Sequence, residues 1–516
     1  MNLLKKQLLR NTLFAVVGHF WTLLLGVVLT PVLISCLGLP AYGLYIVATS
    51  ILGWSWILDL GVSTAAVRFL SDHAARGDEE RFSECLSSAW VIKVGAGIAI
   101  AALGVFGGEW LAGFLPFPDP SVTRRAWLLL CLTAAVSNMS LLWNAVLSAR
   151  QRMDLAVRIG LALSLPSAAA VVVTVARGGG LQGFLLVNLV VALLYFLLSG
   201  GAALRVGAWK GAASFRPSRR SFGDLASFSR RQAVARLAET VLATGDRMAL
   251  RSSLSSVSIY QVGATVAARL RDAVALLVSA GMPAATDLYA RQDWKGVEKI
   301  LQRGTKYLVL VGFPLMLFAA LFAEEILVLW VGTAFADSAR VLRILLAGCF
   351  LNVVAAMAAT VGAAANRMDI QERMSLIAVA VLAAVYLGWG RFHGVIGVAA
   401  SISLAYAVLG LGQLFGMRAA LEGRVVFALG SLMGRPIAAA LLAATVGIPA
   451  KWLALERLEL GTRPAAGLFV VGTALVAMAA YAAALRWLKV LDREDLELLK
   501  SFFRRVPEEA APGAAP

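Results

Sequence analysis

The sequence predicts an all-α integral membrane protein with about fourteen transmembrane helices. Hydrophobic residues make up 60% of the chain and charged residues 15%, and the mean hydropathy is +0.79. This composition is too apolar for an ordinary soluble domain. Most of the apolar stretches are about 20 residues long, which is the length that a helix needs to cross the hydrocarbon core of a bilayer. Most of the 47 Lys and Arg residues fall in alternate loops, which indicates an even number of crossings with both termini in the cytoplasm.

The predicted spans follow one another from the N-terminus with short loops between them. Span 7 is the least apolar, but omitting it would invert every later loop and spoil the alternation of charge. The spans cover approximately residues 11–37, 42–67, 87–115, 124–149, 155–177, 181–207, 227–252, 258–286, 305–332, 337–365, 373–390, 393–418, 430–455 and 463–487.

A short internal repeat suggests how these spans are organised. Arg-Met-Asp-Leu at 152–155 recurs as Arg-Met-Asp-Ile at 367–370, at the cytoplasmic ends of spans 4 and 10. Because six spans separate the copies, two halves of equal topology would be related by an axis along the membrane normal. The predicted division is an N-lobe at 1–207, a basic cytoplasmic linker at 208–224, a C-lobe at 225–420, spans 13 and 14 at 421–488 and a cytoplasmic tail at 489–516.

Spans 7 and 8 carry ionisable residues at membrane depth. Arg236, Glu239 and Asp246 lie along one helical stripe of span 7, and Arg269, Arg271 and Asp272 lie near the middle of span 8. A charge at the bilayer centre costs several kcal/mol unless it faces protein or water. One interpretation is internal ion pairs, Arg236 with Glu239 and Arg269 with Asp272. The other is a basic cavity for an anionic head group, because guanidinium binds phosphate oxygens in bidentate fashion.

Other polar residues in or near spans are candidates for ion coupling or gating. Each is also explained by anchoring a helix end or by a hydrogen bond between helices. Four tryptophans, including Trp21 and Trp90, could stack on sugar rings, although interfacial anchoring explains them as well. The coupling or gating candidates are His19, Asp59, Arg68, Lys93, Asp246 and Arg247.

Composition and motifs argue against several other classes of function. The net charge of +17 lies mainly in cytoplasmic loops, where orientation and anionic lipid explain it more simply than nucleic acid does. The four cysteines are widely spaced and form no metal-binding pattern. The sequence contains no phosphate-binding loop, zinc-protease motif or serine-nucleophile elbow. We therefore expect neither an enzyme nor a bound cofactor, and a proton or sodium gradient is the candidate driving force.

Several short segments resemble one family along nearly the whole chain. They include Leu37 to Leu44, Asp59-Leu60-Gly61 with Arg68, Asp246-Arg247, Tyr260 and Ala339 to Leu345. These segments look like those of the polysaccharide-biosynthesis flippases (Wzx type), which belong to the multidrug/oligosaccharidyl-lipid/polysaccharide exporter superfamily. The acidic segment after span 14 resembles the tail of that family.

The resemblance implies two six-helix lobes in a V like that of the multidrug exporters, with two extra C-terminal helices. It also implies alternating access and transfer of an undecaprenyl-pyrophosphate-linked oligosaccharide across the bacterial inner membrane, with a polysaccharide polymerase and glycosyltransferases as candidate partners. By position in the cavity, Arg236, Arg269 and Arg271 would hold the pyrophosphate or acidic sugars. A lipid II flippase, a drug or cation antiporter of the same superfamily and a non-transporting scaffold in polysaccharide assembly remain alternatives.

Overall fold

The fold is built from helices, as the sequence predicts. The computed structural model describes residues 21, 24–53, 61–209, 215–279, 281–365, 367–421, 429–457, 463–490 and 495. Over these residues the secondary structure is helical, without β-strands. Nine helical segments of the described chain are long and apolar enough to cross a membrane. The predicted class, an all-α multi-pass membrane protein, is confirmed.

The helices of the first half of the chain are numbered in order. They are α1 (Leu24–Leu37), α2 (Leu39–Gly53), α3 (Val62–Arg76), α4 (Glu79–Phe106), α5 (Gly108–Phe114), α6 (Pro120–Ala149), α7 (Met153–Ala176) and α8 (Gly180–Arg205). We refer to α1–α8 as the N-terminal half.

The second half continues in the same way, with α9 to α17 referred to as the C-terminal half. Its helices are α9 (Arg219–Ala249), α10 (Leu254–Ser279), α11 (Gly281–Ala290), α12 (Trp294–Leu321), α13 (Ala323–Val331), α14 (Ala336–Val354), α15 (Ala356–Ala364), α16 (Met368–Gly388) and α17 (Gly394–Ala420). Two further helices follow, α18 (Leu429–Arg457) and α19 (Arg463–Trp487).

Described helices occupy all of the predicted spans, but several begin earlier than hydropathy indicates. Span 9 was predicted from residue 305, whereas α12 begins at Trp294. The carboxylate of Asp293 caps this helix by accepting a hydrogen bond of 3.0 Å from the backbone N of Gly296. Hydropathy marks the part of a helix that lies in the bilayer, whereas capping sets where the helix begins.

The two copies of the internal repeat have the same local structure. Arg152 and Arg367 each precede a helix, and each Nε donates to a carboxylate two residues later, at 3.4 Å to Asp154 and 3.1 Å to Asp369. The backbone N of each arginine also donates to the carbonyl five residues earlier, at 2.7 and 2.8 Å. The repeat therefore marks equivalent turns between helices in the two halves of the chain.

One arginine fastens the N-terminal half on the side that the loop charges predict to be cytoplasmic. Arg150 donates to both carboxylate oxygens of Glu79, at 2.9 and 2.6 Å, and to the carbonyl oxygen of Gly207 at 2.9 Å. Its guanidinium carbon lies 4.2 Å from the ring centroid of Phe82. One planar cation thus ties α4 and α6 to the chain that follows α8, a use of guanidinium that a lysine does not reproduce.

Candidate functional site

The two halves meet where α2 and α10 begin, on the side that the loop charges predict to be non-cytoplasmic. A Cβ on Gly43 would overlap the carbonyl oxygen of Leu254, so the missing side chain permits this contact. Nearby, Oγ of Ser258 donates to the carbonyl oxygen of Leu39 at 2.7 Å. The two contacts are reciprocal. Leu254 follows Leu39, and Ser258 follows Gly43, by the same number of residues that separates the two copies of the repeat.

Two further contacts join the halves. The guanidinium carbon of Arg251, in the turn between α9 and α10, lies 4.5 Å from the ring centroid of Phe114 at the end of α5. The indole nitrogen of Trp330 on α13 donates to the carbonyl oxygen of Val27, inside α1, at 2.6 Å. The contacts of Gly43, Ser258 and Arg251 lie at helix ends on one side, so the halves are closed there.

Asp246 lies beside this contact, near the end of α9. Its side chain is buried, and its carboxylate accepts a hydrogen bond of 2.6 Å from Oη of Tyr260 and one of 2.8 Å from the backbone N of Arg247. A carboxylate away from water requires such donors. The structure therefore places Asp246 in a link between α9 and α10.

A polar stripe begins at Arg247 and runs along α10. Nε of Arg247 donates to Oε1 of Gln261 at 2.6 Å, and Nε2 of Gln261 donates to Oγ1 of Thr265 at 3.0 Å. Arg269 and Asp272 follow Thr265 at spacings of four and three residues, so they continue the same side of the helix. The stripe is thus defined as Gln261, Thr265, Arg269 and Asp272, with Arg247 at its non-cytoplasmic end.

Arg271 and Arg269 differ in their surroundings. Arg271 pairs with Asp272 at 3.1 Å, and its guanidinium carbon lies 5.3 Å from the ring centroid of Tyr406 on α17. Arg269 is exposed and forms no ion pair within the described part of the chain. Of the two interpretations of these charges, the ion pair of Arg269 with Asp272 is not found among the described residues, where Asp272 pairs with Arg271.

Lys93 lies inside the N-terminal half and is fully buried. Its Nζ donates to Oγ of Ser63 at 2.6 Å and to Oδ1 of Asn138 at 2.7 Å. The lysine thus joins α3, α4 and α6, and the structure does not bring it together with the stripe on α10.

The remaining candidates are only partly described. Arg68 is exposed, with its guanidinium carbon 5.9 Å from the ring centroid of Phe69. His19 and Asp59 lie outside the described residues, as do the side chains of Arg236 and Glu239, whose backbone belongs to α9. A binding, coupling or gating role for any of these residues stays a prediction. Among the residues that the structure describes, no cluster of His, Cys, Asp and Glu could hold a metal ion.

Sequence reasoning from charges alone missed several neutral partners. Gln261, Tyr406 and Asn138 each contact one of the charged candidates, at distances given above. Their signal in the sequence is a polar side chain within an apolar span, which requires a partner or water at membrane depth. That signal identifies the residue but not the helix that provides the partner.

Comparisons with known proteins agree on a transporter fold. A structure described as the lipid II flippase MurJ in an inward closed conformation matches with a TM-score of 0.71 at 12% identity, covering 96% of this chain and all of that one. An inward-facing multidrug resistance MATE transporter matches with a TM-score of 0.62 at 13% identity, covering 77% of this chain and 93% of that one. A MOP-superfamily transporter from Pyrococcus furiosus, described as having a binding pocket of reverse polarity, matches with a TM-score of 0.56 at 15% identity. The match covers 81% of this chain and 96% of that one. No curated protein sequence matches.

The fold, with its paired halves and the polar stripe on α10, is similar to that of the MurJ and MATE transporter structures. A model of the family described as polysaccharide biosynthesis protein matches residues 8–289, more than half of the chain. The protein belongs to that family. The resemblance found from short sequence segments is therefore confirmed.

Proposed function

We propose that this protein is a flippase that moves an undecaprenyl-pyrophosphate-linked oligosaccharide across the bacterial inner membrane by alternating access, for assembly of a surface polysaccharide. A proton or sodium gradient would drive the movement, and no bound cofactor takes part. A polysaccharide polymerase and glycosyltransferases are the proposed partners. Membership of the polysaccharide biosynthesis family supports this function.

The polar stripe on α10 is the observation that carries the proposal. Arg269 is exposed, and Arg271 lies next to it with part of its surface accessible. Guanidinium remains charged when partly desolvated and forms two parallel hydrogen bonds to phosphate oxygens. An arginine without an ion pair at membrane depth is therefore suited to an anionic head group such as a pyrophosphate.

An apolar groove suits the lipid portion of such a substrate. It has a volume of about 500 Å³ and lies between α12, α18 and α19, with Leu310, Phe318, Ala443 and Met478 among its lining residues. Lipid tails are about as apolar as this groove, so an isoprenoid chain passes from the bilayer into it at little cost in free energy. The groove lets the chain stay in an apolar environment while the head group crosses.

A lipid II flippase is the second candidate, favoured by the similarity of the fold to MurJ over 96% of this chain. Both candidates would move a saccharide on a polyprenyl pyrophosphate, so the arginines would have the same role in each. The lipid that accumulates when the gene is deleted separates the two.

The test is lipid analysis of a deletion strain, complemented with wild type, Arg269→Ala or Arg291→Ala. We expect the deletion to accumulate an undecaprenyl-pyrophosphate-linked oligosaccharide and to lose surface polysaccharide. Wild type and Arg291→Ala should restore both, because Arg291 is exposed just after α11, where it pairs with Asp287. Arg269→Ala should fail at normal expression.

Unchanged lipid intermediates with increased drug sensitivity would contradict the proposal and favour an antiporter. Accumulation of lipid II would favour the second candidate. Full rescue by Arg269→Ala would remove that arginine from the substrate path.

A further inference from the structure

The N-terminal half contains a cavity with polar side chains on its walls, and no residue of the stripe on α10 is among the described residues that line it. Its volume is about 830 Å³, and its walls come from α2, α6, α7 and α8. Ligand sites in proteins range from about 300 to 1,000 Å³. The described residues on its walls include three asparagines and several hydroxyl side chains, together with Tyr45 and Tyr195, but neither a carboxylate nor a cationic side chain.

One donor on this wall has no acceptor. Asn138 lines the cavity with 9% of its surface exposed, and its Oδ1 accepts the hydrogen bond from Lys93 at 2.7 Å. Because ammonium only donates, the lysine fixes which end of the amide is the oxygen, and Nδ2 is left as a donor. Among the described residues, Nδ2 of Asn138 has no hydrogen-bond partner, and it has almost no accessible surface, so an acceptor in the cavity reaches it only after a small movement of the wall. A buried donor in this state costs about 1 to 3 kcal/mol until an oxygen from a ligand or water accepts from it.

Aromatic groups lie beside these amides. Oη of Tyr195 donates to Oδ1 of Asn144 at 2.9 Å, which holds the tyrosine ring in the cavity wall. The indole nitrogen of Trp21 donates to Oγ of Ser164, another wall residue, at 2.6 Å. Amides and hydroxyls that both donate and accept, beside flat apolar rings, match a sugar, whose hydroxyl groups surround an apolar ring face.

We propose that this cavity is a binding site for an uncharged sugar ring. Its place in transport, as the site that receives one sugar of the oligosaccharide, rests on the proposed function, whereas the chemistry of the site does not. Lys93 acts here as a positioning residue that orients the amide of Asn138, and Asn138, Asn188 and Tyr195 contact the sugar. The head-group arginines and the sugar site then lie in different halves of the protein, so one substrate would bind both.

A substitution at a glycine in the wall can fill the cavity with a side chain and leave the other wall residues in place. A Cβ on Gly160 meets only the Cε2 atom of Tyr195, at 4.0 Å, so the leucine of a Gly160→Leu variant extends into the cavity. Gly95 on α4 is exposed, with nothing within 4 Å of a Cβ, and Gly95→Leu is the matched control. Asn188→Leu is a second variant of similar volume that removes a wall amide and leaves the bonds of Lys93 intact.

The test is saturation-transfer NMR on the purified full-length protein, with methyl β-glucoside as the probe and triethylene glycol monomethyl ether as a non-sugar control. We expect transfer to the sugar ring protons in wild type and Gly95→Leu, and its loss in Gly160→Leu. Asn188→Leu should bind about tenfold more weakly, as expected for one lost hydrogen bond. Gel filtration and circular dichroism establish that each variant is folded.

No transfer in wild type would mean that the cavity holds water alone and would overturn the site. Equal transfer in Gly160→Leu, or equal transfer to the glycol ether, would also overturn it. The deletion-strain experiment is independent. Unchanged lipids with Gly160-sensitive sugar binding would reject the flippase and keep the site, whereas accumulated lipids without sugar binding would reject the site alone.

Discussion

At the scale of the residue, three charged candidates for coupling or gating are held by neutral side chains. Asp246 depends on Tyr260, Arg247 on Gln261 and Lys93 on Ser63 and Asn138, all at hydrogen-bond distances of 2.6 to 2.7 Å. Low-dielectric surroundings strengthen these bonds and make the loss of either partner costly. The neutral partners are therefore as important for the position of each charge as the charged residues themselves.

Tyr260→Phe tests this dependence. It removes the hydroxyl that donates to Asp246 at 2.6 Å and leaves a buried carboxylate with one donor fewer. We expect a loss of about 1.5 to 3 kcal/mol, the usual range for a hydrogen bond to a charged group, seen as a lower midpoint of thermal unfolding in detergent. Tyr386→Phe is the control, because that hydroxyl donates at 3.2 Å to the neutral carbonyl of Ala249. Equal midpoints for the two variants would contradict the account.

At the scale of the element, the start of α2 and the start of α10 close the side that the loop charges predict to be non-cytoplasmic. The contact needs Gly43, because any side chain there would meet the backbone of Leu254. Backbones that approach this closely are typical of small-residue contacts between membrane helices. The closure therefore depends on glycine at position 43 and on the hydroxyl of Ser258, which donates a hydrogen bond across the contact.

Gly43→Ala should weaken this closure. The added methyl group forces α2 and α10 apart, so the protein should populate a form that is open on the non-cytoplasmic side. We expect a Val257→Cys reporter, in a Cys36→Ser background, to react several-fold faster with a membrane-impermeant maleimide when Gly43→Ala is present. Position 257 is fully buried in the closed form, and its substitution keeps the hydrogen bond of Ser258. Gly26→Ala is the control, since nothing lies within 4 Å of a Cβ there, and equal labelling in both variants would contradict the account.

At the scale of the whole molecule, the two halves are related by the sequence separation found in the repeat. The same separation relates Arg152 to Arg367, Leu39 to Leu254 and Gly43 to Ser258. Reciprocal contacts of this kind are expected where a two-fold axis passes through an interface. Alternating access about such an axis would open one side of the interface as the other closes.

Much of this organisation could be predicted from the sequence, because the bilayer imposes strong rules on helix length and loop charge. The alternation of loop charge required a span at 227–252, where α9 lies, and the repeated Arg-Met-Asp segment indicated two related halves. The pairing of Arg271 with Asp272, in place of Arg269, could not be predicted, because both arginines lie within reach of that carboxylate along the chain. The cavity around Asn138 was also missed, because neutral residues from four helices form it and their convergence depends on packing.

The most direct measurement of the central claim is transport by the purified protein in liposomes. A fluorescent saccharide on a polyprenyl pyrophosphate would be placed in both leaflets, and its accessibility to an enzyme outside the liposome would be followed over time. We predict that nearly all of the labelled lipid becomes accessible with wild type and with Arg291→Ala, and about half with Arg269→Ala or with empty liposomes. If wild type also leaves half of the lipid protected under an imposed proton or sodium gradient, the protein does not move this class of lipid and the account is wrong.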